Sequence, residues 1–155
     1  MEKNTYFEQM RDTAIAYNEA QAIREKERDT MIAADDWDSV KAFDRRENEE
    51  FPYPFTAGQN NALVLYDRSL RNGADAFEAD DLPWDYELED FVRTLREAGI
   101  TAIVVTDQST GLMDGIYGLT AFGCRMNGLK TVTRVDNHRF GSKAPERKNG
   151  IEFEL

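Results

Sequence analysis

Apolar positions in the first third of the chain recur at helical spacing. Phe7, Met10, Ala14 and Tyr17 follow i, i+3, i+7, i+10, one face of a helix that the pattern extends over about residues 3–33. After Tyr17 the stripe fades into "QAIREKERDT", a solvated half in which Glu25 and Arg28 stand at the i, i+3 spacing of an ion pair. A second helix is predicted over about 36–49, capped by Asp35 or Asp36, with Trp37, Val40 and Phe43 as a short apolar face. Together they make a helical arm or hairpin over residues 1–50. "FPYPF" at 51–55 then forces extended backbone through two prolines and marks the boundary to a second domain, 51–155. A proline-rich ligand segment is the alternative use of that stretch.

The second domain alternates periods. "NNALVLYDRSLRNG" places Leu63, Tyr66 and Leu70 on one helical face, with Gly73 just past the end. "ADAFEADD" has room for a short extended piece. "DYELEDFVRTLREAG" predicts a helix with Leu88, Phe91, Val92 and Leu95 inward, Asp85 as cap and Gly99 as terminator. "ITAIVVT" is apolar on both alternating faces, as buried parallel strands are. A helix at about 111–122 and a strand at 129–135 complete a βαβ unit. "GIEFEL" alternates as an edge strand, most simply antiparallel to 129–135 across the loop 136–149. The fold class expected is α+β: an N-terminal helical arm, then a small three-stranded mixed sheet with a βαβ unit and packed helices.

Charge changes the picture. The net charge is −11, but it is unevenly spread. Residues 1–123 hold 12 Lys and Arg against 26 Asp and Glu, whereas residues 124–155 hold 7 against 4. An acidic chain repels phosphate backbones, so generic nucleic-acid binding is disfavoured except through the basic stretch 125–148. No run of apolar residues is long enough for a membrane span, and "MEKNTYFEQMRD" has no apolar signal-peptide core. The one cysteine, Cys124, has no internal partner, which agrees with a reducing, cytoplasmic location.

The run from Phe91 to Val135 carries a family resemblance. Its features are Phe91 to Ile100 ("FVRTLREAGI") at a helix end, Ser109 to Leu112 ("STGL") and Gly123 to Leu129 ("GCRMNGL"), and Trp84-Asp85 precedes it at the helix start. In these it resembles small α/β proteins carried on conjugative and other mobile elements of gut bacteria, over about residues 60–135. The resemblance implies mobile-element biology. It implies no reaction and no catalytic residues.

Candidate chemistry is sparse. "VVTDQSTG" at 104–111 stands where α/β enzymes keep their sites, after the carboxyl end of a buried strand. It lacks the glycine and lysine pattern of a phosphate loop, so Ser109 or Thr110 is expected to cap the next helix, with ligand contact as the alternative. In "GLMDGIYGLTAFG", Gly111, Gly115 and Gly118 share one helix face, which fits either close internal packing or a flat groove for a partner's backbone. His138 alone does not make a zinc site; Cys124, at a helix end beside core residues, is expected as a buried inert thiol rather than half of a Cys124–His138 dyad, and a Ser109–His138–Asp107 triad has no supporting motif. No metal or cofactor is expected. The acidic run 75–90 contains no Lys or Arg and does not match a calcium loop.

These features predict a non-enzymatic binding protein that docks an acidic surface on a basic protein partner, such as a nuclease or CRISPR effector, in the manner of an anti-defence inhibitor. The residues expected to carry it are Asp75, Glu78, Asp80, Asp81, Asp85 and Glu87, the glycine face Gly115 and Gly118, and the basic Arg139 and Lys143. The alternatives are a small enzyme with its site at the strand–helix junction 106–111, and an accessory protein that self-associates through the N-terminal helices.

Overall fold

The structure is a computed structural model describing residues 1–135 and 145–155. Two compact units emerge, Gln9–Pro54 and Met1–Glu8 together with Phe55–Leu155. The opening eight residues, read from the sequence as part of the arm, pack within the second unit.

The first unit is a helical hairpin. Most of helix α1 (Thr5–Ala33) lies in it, followed by α2 (Trp37–Glu50). Asp35 takes a positive φ of 55° at the turn, and Asp36 caps α2 by accepting the Ser39 N–H. Met10, Val40 and Phe43 are buried, whereas Ile15, Ile23 and Trp37 are exposed. Side-chain pairing supplements this narrow apolar seam. Arg24 donates to Glu47 at 2.6 Å with its guanidinium 4.4 Å from the Phe51 ring centroid, and Tyr17 meets Tyr53 edge-on. Phe51 and Tyr53 of "FPYPF" thus pack on the hairpin, whereas Phe55 belongs to the second unit. Arg28 pairs with Asp44, bidentately at 2.7 and 3.1 Å, rather than with Glu25 as its spacing suggested. A planar guanidinium gains two bonds across the hairpin and only one along its own helix.

In the second unit, Asn4 caps α1 through the Tyr6 and Phe7 N–H groups. Phe7 is fully buried, stacked on Tyr66 at 4.5 Å. Helix α3 (Ala57–Arg71) opens on a capping box of Thr56 and Gln59, and Gly73 beyond its end takes a φ of 58°. A 3-10 turn, Asp85–Glu87, leads into α4 (Leu88–Glu97). Asp85 is therefore inside the turn and not a cap; its carboxylate accepts the Tyr86 N–H. Leu88, Phe91, Val92 and Leu95 are buried as their spacing requires.

The sheet has four strands in the order β1 (Glu78–Ala79), β2 (Ala102–Val105), β4 (Glu146–Glu154), β3 (Arg125–Arg134). It is mixed: β1 runs parallel to β2, and β4 is antiparallel to both neighbours. The expected three strands become four because "FEAD" contributes a two-residue strand. The expected βαβ unit is split. β2, α5 (Leu112–Ala121) and β3 follow one another with parallel strands, but β4 lies between them. The C-terminal strand is accordingly central and not an edge, and the antiparallel pairing with β3 is as expected. The hairpin made by β3 and β4 curls back on the sheet. Val135 N–H donates to Asn72 O, Asp75 N–H to Thr133 O, and Ala74 bridges Arg134, enclosing Ala74, Val104 and Val132.

Candidate functional site: an acidic groove with an aromatic rim

Burial and pairing divide the acidic run into two sets. Glu78, on β1, is 3% exposed. Its carboxylate accepts two bonds from Arg134 at 2.7 Å each and one from the Thr106 hydroxyl at 2.6 Å. Asp80 accepts from Arg68 at 2.6 Å and from Arg134 at 3.3 Å. Asp75 accepts the Thr133 N–H at 2.9 Å. These three carboxylates hold the curled hairpin onto β1. Glu78 and Asp80 are paired with arginine inside the chain and so are withdrawn from the acidic face that the sequence pattern suggested, whereas Asp75 stays exposed and its carboxylate accepts a backbone N–H.

The second set lies where the chain leaves β1. Asp81, Asp85 and Glu87 line a groove of about 750 Å³, with Asp107, Ser109, Thr110 and Asp114 on its other wall. Pro83 fixes the backbone there, and Trp84, which lines the groove, is 71% exposed; Tyr86, between the lining residues Asp85 and Glu87, is 78% exposed. Glu87 accepts from Asn61 Nδ2 at 2.9 Å. Asp81, Asp85 and Asp114 have no ion-pair partner among the described residues. Asp114 was missed from sequence, although its place in the first turn of a helix following a strand was a usable signal.

The far wall of the groove contains the strand–helix junction. Asp107 is 6% exposed; its carboxylate accepts the Ser109 N–H at 2.6 Å and the Leu82 N–H at 3.1 Å. Burial pushes its pKa up, but the bonds from the Ser109 and Leu82 backbones and the Ser109 hydroxyl outweigh this and hold it below the ordinary 3.8. The N-cap of α5 is Gly111, without a side-chain cap bond, and not Ser109 or Thr110. Ser109 Oγ instead accepts the Gly111 N–H at 3.3 Å. Asp107 thus ties the loop before α5 to Leu82 across the groove. Asp107→Ala should cost about 1–3 kcal/mol in chemical denaturation, because two N–H groups lose their acceptor. In wild type the ionised carboxylate's contribution is fully present above about pH 4 and is lost as the pH falls through the depressed folded value. The stability gap to Asp107→Asn should therefore narrow between pH 6 and pH 3.

The glycine face of α5 is filled from within. A Cβ on Gly115 would stand 2.5 Å from Leu82 Cδ1, and one on Gly118 would stand 2.3 Å from Leu88 Cδ2. The glycines let Leu82 and Leu88 approach the helix, so the flat partner groove expected there is already occupied. Arg139, Lys143 and His138 lie outside the described residues. Cys124 is buried, and burial pushes its thiol up against a smaller lowering by Arg96, which disfavours the reactive thiolate. Among the described residues no group of three or more His, Cys, Asp or Glu is arranged to hold a metal, and no helix is long and apolar enough to cross a membrane.

The class defined by these features is an α+β domain built on a split β-α-β core, with an open acidic groove beside its parallel strand pair. Residues 61–155, from within α3 to the end of β4, match the model of a domain of unknown function, DUF7698, and the chain belongs to that family. All the groove-lining residues fall inside the matched span. No curated protein and no solved structure matches the chain.

Proposed function

We propose that the chain is a non-enzymatic binding protein whose groove receives a basic segment of a protein partner. The observation that carries this is the juxtaposition of three carboxylates without an ion-pair partner among the described residues, Asp81, Asp85 and Asp114, with the exposed Trp84. Carboxylates around a groove take arginine side chains by charge-assisted hydrogen bonds. An exposed indole adds a face for the guanidinium to stack on. A rim tryptophan also supplies the large, stiff contact area that dominates protein interfaces. In its narrower form the partner is a nucleic-acid-binding enzyme of host defence, such as a CRISPR effector. That form rests on the net charge of −11 and the resemblance to mobile-element proteins.

Trp84 is its own reporter. In a Trp37→Phe background, titration with an arginine-rich peptide should shift the Trp84 emission, and the affinity should fall as ionic strength rises. Trp84→Ala should weaken binding roughly tenfold or more, and Asp81→Lys with Asp85→Lys should abolish it. Binding that ignores salt, or that survives the double charge reversal, would sink the proposal. The narrower form is tested by whether the chain slows cleavage by a purified effector nuclease.

A further inference from the structure

β3 is an edge strand, and among the described residues only its last ones meet another segment along the outer side. Thr133 O accepts the Asp75 N–H at 3.1 Å, and the Thr133 N–H donates to the Asp75 carboxylate at 2.9 Å. Both main-chain groups of Thr133 thus point away from β4. Outward groups recur at every second residue of an antiparallel strand, so those of Thr131 and Leu129 also point outward. No backbone partner meets them among the described residues. Leu129 is also 90% exposed, next to a hollow of about 430 Å³ lined by Val105, Leu112 and Ile151.

We propose that β3 pairs antiparallel with β3 of a second copy of the chain, about a two-fold axis at Leu129. Charge and sterics select this register. Centring on Thr131 would set Leu129 against the second copy's Thr133, whose outer side Asp75 already fills. Centring on Lys130 would set two ammonium groups opposite each other, which is destabilising. Centring on Leu129 sets the two Leu129 side chains together, Asn127 opposite Thr131, and Gly128 opposite Lys130. Gly128 has no side chain, and its partner on β4 is Glu152. The second copy's Lys130 can therefore reach over Gly128 to Glu152, the carboxylate that the chain's own Lys130 holds at 2.8 Å. Each Glu152 then lies between two cations. The bulge between Met126 and Gly128 ends the straight run on one side and Asp75 ends it on the other. A short isologous contact of this kind closes as a dimer and does not grow.

Sedimentation equilibrium of the full chain should show a monomer–dimer equilibrium. Leu129→Glu, which opposes two carboxylates on the axis, should weaken it roughly tenfold or more. Thr131→Pro should weaken it too while keeping the circular dichroism spectrum, because the N–H it removes points away from β4. Leu129→Cys should oxidise to a symmetric disulfide dimer, since directly paired residues lie about 5.5 Å apart between Cα atoms, within the range a disulfide spans. A wild-type chain that stays monomeric at high concentration overturns the proposal. So does a dimer that Leu129→Glu leaves intact, because association would then run through another surface.

Discussion

Arg134→Met is expected to destabilise the α/β unit by about 3–5 kcal/mol, read as a fall in the urea midpoint with little change in slope. The reason is the environment of Glu78. Its side chain is 2% exposed and the Arg134 side chain 12% exposed, and the pair is bidentate. Without the guanidinium, the buried carboxylate keeps the Thr106 hydroxyl and no cation among the described residues. Arg134 also reaches Asp80 at 3.3 Å and Glu146 at 3.7 Å, so three carboxylates lose a shared cation at once. The double variant Glu78→Leu, Arg134→Met should recover much of the loss, because removing both charges also removes the desolvation cost. If Arg134→Met alone costs under about 1 kcal/mol, the pair behaves like an exposed one and does not hold the hairpin down.

This cluster shows where sequence stops being informative. Glu78, Asp80 and Arg134 each sat in a charge run, and charge runs are ordinarily solvated. What turns them into a clasp is the curl of the β3–β4 hairpin, which brings residues more than fifty positions apart together. Nothing in local periodicity encodes that curl. The helices were legible for the opposite reason. α3 and α4 carry both their apolar face and their stop signal within fifteen residues or fewer, and Gly73 and Gly99 both take positive φ just past their ends.

The strands were harder to read. β1 is two residues long and has no period to detect. β3 begins at Arg125, but the bulge between Met126 and Gly128 breaks the alternation, so only its second half could be recognised. The central place of β4 follows from pairing with β2, and its half-polar sequence resembles an edge strand because charged residues such as Glu152 and Glu154 project from it. The groove was half legible. Asp81, Asp85 and Glu87 stood in the acidic run, whereas Asp107 and Asp114 come from the far wall, which only the chain's return through β2 brings near.

Gly58→Ala should cost about 2–3 kcal/mol, although alanine is the better helix former by about 1 kcal/mol. Gly58 lies in the first turn of α3, where "TAGQNNA" offers no hint of a constraint beyond the capping box. An added Cβ would stand 2.3 Å from the Glu87 carbonyl oxygen, 2.8 Å from Asp90 Cβ and 2.8 Å from the Phe91 nitrogen. Two of these are backbone atoms at the start of α4, so relief requires α3 and α4 to separate. That would disturb the contact burying Leu63, Tyr66, Leu88 and Phe91. Gly118→Ala is the control. Its Cβ meets only the end of the Leu88 side chain, which can change rotamer, and the helix gains propensity in return. That variant should stay within about 1 kcal/mol of wild type. Thermal unfolding of the two variants side by side distinguishes a helix pair locked through its backbone from one that packs through adjustable side chains. Comparable stabilities would mean that the α3–α4 contact yields as readily as the leucine does. The groove bears on the same contact, since Asn61 on α3 donates to Glu87 across it. Separation of the helices should therefore also displace Trp84, and in the Trp37→Phe background its emission would report the shift before the unit unfolds.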